Sequence, residues 1–174
     1  MPAVDPAPVP DDLGVAVVSI TTTRTLEEDD SGDRIVELIE EAGYEVPIRE
    51  LINDDFDHVQ RLISRLCNRK DVHVVLVNGG LGLHGRDVTE EAVTKMLVKT
   101  LPGVGEVLRH QLLGEAGTEA IVDRTFAGIR EGVVICCFPA EVDVVDLAVS
   151  EIVLPEIEYL VGLAIVGMDD ENAT

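Results

Sequence analysis

The chain has 174 residues, 46% of them hydrophobic, enough for one well-buried core and too few for two comfortable domains. Its formal charge of −21 sets 13 Lys and Arg against 34 Asp and Glu, with no basic cluster. Nucleic acid and anionic membrane surfaces both require clustered cations, so the composition argues against either as a partner.

Three Phe, two Tyr and no Trp leave Val, Ile, Leu and Ala to build the core, which suits parallel strands buried between helices. The opening residues 1–12 carry Pro2, Pro6, Pro8 and Pro10 among small and acidic residues, which predicts a flexible tail. Residues 167–174 are short and acidic and read as a second tail, leaving 13–166 as the single domain.

Residues 14–21 (GVAVVSIT) form a β-branched apolar run of strand length. Ser31 is positioned to cap a helix whose face is Ile35, Val36, Leu38, Ile39 and Ala42, ending at Gly43. Residues 45–52 give a second strand, and Asp54 or Asp55 caps a helix with the stripe Phe56, Val59, Leu62, Ile63 and Leu66. Residues 72–77 (VHVVLV) are a third strand, apolar enough to be buried on both faces.

Beyond a loop at 78–88, Thr89 is expected to cap a helix to about Val98. Another starts near Gly103 and is broken by Gly114 and Gly117. Residues 124–129 and 132–138 predict a hairpin across Arg130 and Glu131, and a last helix spans 142–162, kinked or divided at Pro155. Three βα units, a hairpin and a closing helix predict a three-layer α/β/α fold around a mainly parallel sheet.

The loop Asn78-Gly79-Gly80-Leu81-Gly82-Leu83-His84-Gly85-Arg86-Asp87 follows the most buried strand and precedes a helix. Glycines there let backbone N–H groups approach a phosphate, and the helix N-terminus adds positive potential. Gly80 to Gly85 also fits G-x-G-x-x-G by letter. That fingerprint belongs to the first βα turn and needs an acidic residue ~20 positions on, at the end of a strand, where this chain has a turn-like 100–105.

Asp87 at the end of this loop and Asp54 after the second strand fall on one rim, where two carboxylates could share Mg²⁺ and a polyphosphate; the plainer reading is that both cap helices. His73 reads as a satisfied core histidine, and His84 has no partner at metal-ligand spacing. Cys67, Cys136 and Cys137 are odd in number, and the adjacent pair points to opposite faces of a strand, so they cannot chelate together. With neither a leader-like segment nor an apolar run of membrane length, a reducing cytoplasm is expected.

In order and spacing, EEDDSG (27–32), DVHVVLVNGGLG (71–82), RDVTEEA (86–92), PGVGEVLR (102–109) and DRTFAGI (123–129) resemble the MoaB/Mog family of molybdopterin-binding proteins. The resemblance implies a role in molybdenum cofactor biosynthesis: Mg²⁺-dependent adenylyl transfer from ATP to molybdopterin. It implies Asp54 and Asp87 as catalytic carboxylates with Asp87 on the metal. Thr22, Gly79, Gly80, Gly82, Arg86 and Glu106 would bind nucleotide or pterin, and the assembly would be a homotrimer or hexamer. Glu106 and Arg109 are equally explained as an i, i+3 surface ion pair.

Two departures leave an alternative open, a protein that keeps the fold and an assembly role without the transfer. Leu81 stands where the family has a hydroxyl in Gly-Gly-Thr-Gly, and Phe138-Pro139-Ala140-Glu141-Val142-Asp143 stands where a Pro-Gly-Ser-like loop is expected. Finally, an acidic, Lys-poor surface suits molar salt, where screening over a few ångströms removes self-repulsion, and a halophilic origin is expected.

Overall fold

The structure is a computed structural model that describes residues 5–172. In chain order it contains β1 (Gly14–Ile20), α1 (Asp30–Glu41), β2 (Glu45–Ile52), α2 (Phe56–Cys67), β3 (Val74–Asn78), α3 (Thr89–Thr94) and β4 (Lys99–Thr100). There follow α4 (Pro102–Ala116), β5 (Phe126–Arg130), β6 (Val133–Phe138), α5 (Val142–Leu147) and α6 (Leu154–Asn172). One six-stranded sheet has the order β2-β1-β3-β6-β5-β4; β1 is parallel to β2 and β3, β3 to β6, and β5 antiparallel to both neighbours.

Strand alternation divides the apolar residues between two helix layers. Val15 and Val17, Val74 and Leu76, and Val134, Cys136 and Phe138 enter a core shared with α1, α4, α5 and α6. Ala16, Val18 and Ile20, Val75 and Val77, and Ile135 and Cys137 face α2 and α3. Cys136 and Cys137 therefore lie on opposite faces, and burial pushes the Cys136 thiol up to about 12 and that of Cys67 up to about 11. Each buried Val, Leu or Ile contributes roughly 1.5–3 kcal/mol, so the sheet is held from both sides.

Two of the three caps differ from the sequence reading. Ser31 lies inside α1, buried, whereas Asp55, one of the two residues named for α2, does cap it by accepting the His58 N–H at 2.7 Å. Thr89 is the first residue of α3 and not its cap. That helix stops at Thr94 instead of about Val98, because the following backbone joins the sheet: Val98 N–H donates to the Ile129 carbonyl at 2.9 Å and Leu101 N–H to Ala127 at 2.8 Å. The resulting edge strand β4 occupies what reads in sequence as helix end and turn.

α4 starts at Pro102, runs through Gly114 and ends at Gly117, whose φ of 61° only glycine takes readily. The β5–β6 hairpin turns on Glu131 (φ 49°) and Gly132 (φ 72°), one residue later than Arg130-Glu131. Pro155 does not divide the last helix. A π-helical turn, Ala148–Val153, joins α5 to α6 just before it, the wider turn giving the ring clearance from the preceding carbonyls.

The leading segment is docked where the structure describes it. Ala7 N–H donates to the Gly162 carbonyl at 3.1 Å, and Val9 packs on the α1 side of the core. Gly162 admits this approach, since a Cβ there would lie 2.7 Å from that of Pro6. Residues 1–4 of the expected opening tail lie outside the described residues. At the other end α6 continues to Asn172 through most of the expected closing tail, and 173–174 lie outside the description. Among the described residues no helix is long and apolar enough to cross a membrane.

Candidate functional site

The chain passes from β1 to β2 on one side and returns to β3 on the other, so a crevice opens at the carboxyl ends of β1 and β3. The glycine loop leaves β3 at this point. Gly79 and Gly80 have φ of 96° and 65°, and a Cβ would strike the Ile20 carbonyl at the first and the Thr89 hydroxyl at the second. Gly79 N–H donates to the Phe138 carbonyl at 3.0 Å. The carbonyls of Gly79 and Gly80 accept from the Thr89 hydroxyl (2.9 Å) and Thr89 N–H (3.1 Å).

With those carbonyls turned to α3, the N–H groups of Gly80, Leu81 and Gly82 have no intramolecular acceptor among the described residues. An orphan row of this kind suits an anion. Leu81 does not stand over the bend as free bulk; its side chain is buried in the α2–α3 core with Ile20, Val77, Ala92 and Val93. It anchors the loop.

Asp54 and Asp87 share the rim. Asp54 Oδ1 accepts Val88 N–H at 3.1 Å, and Asp87 Oδ2 accepts His84 N–H at 2.9 Å. Burial raises the Asp54 carboxyl above its ordinary value, Val88 N–H opposes this, and the Asp87 charge adds to the rise. A Cβ on Gly82 would run into the Asp87 carboxylate, so glycine at 82 is what lets that side chain fold back over the loop. Among the described residues no three His, Cys, Asp or Glu converge as a metal site. A cation here would rest on these two carboxylates and on ligand or water oxygens, as Mg²⁺ commonly does.

Under the loop lies a polar network that the sequence reading missed. Asp29, fully buried, contacts the Ser19 hydroxyl and the Arg49 guanidinium, with Ser31 Oγ at 3.2 Å and Arg24 Nη1 at 3.4 Å. Asn78, the residue before Gly79, joins it through Ser19 Oγ at 2.7 Å and Ser31 Oγ at 2.8 Å. Burial alone would raise the Asp29 carboxyl; Ser19, Arg49 and Arg24 outweigh it and hold it below its ordinary value. The only sequence signal was the EEDDSG string itself.

A cleft of about 790 Å³ runs beside the loop, between Gly79–His84 on one wall and Asp123, Arg124, Pro139, Ala140 and Glu141 on the other. Arg124 crosses to the loop, donating to the Gly82 carbonyl at 2.8 Å and to Glu91 at 2.5 Å, and it also pairs with Glu90. The remaining predicted residues are peripheral. Thr22 is exposed in the bend after β1, and Arg86 is exposed beside the Asp54–Asp87 pair. Glu106 is exposed on α4 outside the cleft lining and does not pair with Arg109, whose guanidinium turns to the Thr125 carbonyl (3.0 Å) and Asp123 (3.4 Å). His73 accepts Gly14 N–H at 3.0 Å, a structural bond.

The chain is thus a three-layer α/β protein with a glycine bend and two carboxylates at the switch point of its sheet, the place where folds of this class open their ligand crevices. The sequence profile of the family described as "Probable molybdopterin binding domain" matches residues 14–159. Over 145 residues the chain is 37% identical to the molybdenum cofactor biosynthesis protein B of Halalkalibacterium halodurans, covering 83% of this chain and 85% of that protein. It is 35% identical to the Bacillus subtilis protein of the same name, with 87% and 90% covered.

A crystal structure of a molybdenum cofactor biosynthesis protein B superposes with a TM-score of 0.86 at 34% identity, over 91% of this chain and 99% of that one. The tungsten cofactor synthesizing protein MoaB of Pyrococcus furiosus gives 0.81 at 26% identity, over 90% and 99%. The chain belongs to the molybdopterin-binding family of MoaB/MogA type, whose curated relatives are proteins of molybdenum cofactor biosynthesis.

Proposed function

We propose that this protein acts in molybdenum cofactor biosynthesis by transferring the adenylyl group of ATP to molybdopterin at the 79–88 loop. A terminal phosphate oxygen of molybdopterin forms the new bond to the α-phosphorus; the α–β phosphoanhydride bond breaks and pyrophosphate leaves. The observation that carries this reading is the row of N–H groups at Gly80, Leu81 and Gly82 that have no acceptor among the described residues, in a loop whose far end is held by the Asp54 and Asp87 carboxylates.

The chain's own contribution is positioning and charge. The bend offers fixed N–H donors to phosphate oxygens. Asp54 and Asp87 each spend one oxygen on a backbone N–H, which holds the carboxylates in place and leaves the other oxygen for a cation. Bound Mg²⁺ would supply neutralisation of phosphate charge. The fit is supported by the Asp54 carboxyl, which burial and Asp87 raise and a cation would relieve.

Substituting Asp87 by Asn is expected to abolish ATP-dependent conversion of molybdopterin while leaving the circular dichroism spectrum and solution mass unchanged. Undiminished turnover would reject the assignment. A second reading, an assembly protein without transfer activity, is favoured by Glu141, which puts negative charge on the cleft wall opposite the loop. Titration calorimetry separates the two, because the assembly reading requires that either Mg-ATP or molybdopterin fail to bind.

A further inference from the structure

We infer that Arg124 is a positioning residue of this site, pinning the Gly82 carbonyl and neutralising Glu90 and Glu91 so that the bend keeps its N–H groups open to a phosphate. Three acceptors from two segments more than thirty positions upstream meet on one guanidinium: the Gly82 carbonyl at 2.8 Å, Glu91 at 2.5 Å, and Glu90. The side chain is 20% exposed, and Arg124 itself lies just before β5 on the far wall of the cleft.

The geometry gives it two separate effects. The first is mechanical. A peptide unit is planar, so holding the Gly82 carbonyl against Arg124 turns the Leu83 N–H the other way and keeps the carbonyl dipole from swinging toward an anion. No other hydrogen bond holds the Gly82 carbonyl among the described residues, and although Leu81 is anchored before it, Leu83 after it is 73% exposed, so packing does not hold the peptide on that side.

The second effect is electrostatic. Glu90 and Glu91 occupy the first turn of α3, directly behind the bend, where two uncompensated carboxylates would repel a polyphosphate. Arg124 faces both from outside the helix, and Lys95, from the helix's other end, acts on Glu91; Arg86 lies by the Asp54–Asp87 pair. Lys could not replace Arg124, since one ammonium group cannot span three acceptors set in a fork.

The electrostatic half rests on the phosphate reading of the loop, whereas the mechanical half does not, and the experiment keeps them apart. Amide hydrogen exchange of segment 79–88, with β1 and β3 as internal references, is compared in the full-length wild type, Arg124→Gln, Arg124→Lys and Glu90→Gln/Glu91→Gln. Mg-ATP binding to each is followed by calorimetry. In Arg124→Gln the hydrogen-bonded amides of the segment, Gly79, His84, Asp87 and Val88, should exchange roughly tenfold faster while β3 is unchanged, and Mg-ATP affinity should fall by roughly tenfold.

Adding Glu90→Gln and Glu91→Gln to Arg124→Gln should restore affinity in large part but not loop protection. Unaltered loop exchange in Arg124→Gln overturns the proposal, as does a rise shared equally by β1, β3 and the loop. If Arg124→Gln fails to fold, Arg124→Lys serves, with loss of loop protection expected and full protection contrary. Lost loop protection in a protein whose wild type binds no Mg-ATP upholds the pin and rejects the nucleotide reading.

Discussion

Asp29 is the residue on which most of the buried polar structure depends. Two guanidinium groups, two hydroxyls and, through them, Asn78 are organised around its carboxylate directly beneath the glycine loop. Removing that charge leaves Arg24 with no ion pair among the described residues and Arg49 with only Asp33, at 3.6 Å, so Asp29→Asn should cost about 3 kcal/mol at neutral pH. Because the folded carboxyl is held below its ordinary value of 3.8, its stabilisation is present above that value and is lost as pH falls through the folded one. Urea midpoints of wild type and variant should therefore converge in strong acid, and a constant gap across pH 2 to 7 would contradict this assignment.

Residue chemistry was only partly readable in the sequence. Glycines at 79, 80 and 82 and the carboxylates at 54 and 87 could be singled out because their residue types restrict what they do. Arg124 and Asp29 could not, since a charged residue gains its role from partners. Arg124 meets partners 33 to 42 positions away, and Asp29 one 20 positions away.

Among the elements, the strands were the most legible because a run buried on both faces must be apolar nearly throughout, as β3 is up to Asn78 and β6 is at every position. Boundaries were less so. β4 has only Lys99 and Thr100, both exposed, and no periodicity of its own; it is a strand solely because β5 lies beside it. The β5–β6 turn shows a related tension. Two successive residues at positive φ define a type I′ hairpin, for which Asn-Gly is preferred, yet this chain places Glu131 at φ 49°. Glu131→Asn should therefore stabilise the protein by about 0.5–1 kcal/mol, read as a higher denaturant midpoint with unchanged slope; a lower midpoint would mean that the Arg130–Glu131 pair contributes more than the strain.

For the whole molecule, the net charge of −21 is the dominant fact. We propose that the fold is adapted to high salt. Its unfolding midpoint should rise steeply between low and molar KCl, since screening weakens repulsion among carboxylates that lack Lys partners; a flat response would oppose this. The homotrimer or hexamer that the family resemblance implies is tested by light scattering in molar KCl, which should give the mass of three or six copies; a monomer would refute that assembly.

Composition and apolar runs by themselves determined the layer count, the mainly parallel sheet and the place of the glycine loop, because each follows from local periodicity and from which residues tolerate burial. Only the tertiary structure decided which end of each carboxylate is occupied, that Leu81 anchors the loop in the core, and that Arg124 reaches the Gly82 carbonyl. Those facts depend on the crossing of segments distant in the chain, and a hydrogen bond between such segments leaves no periodic trace in the order of residues.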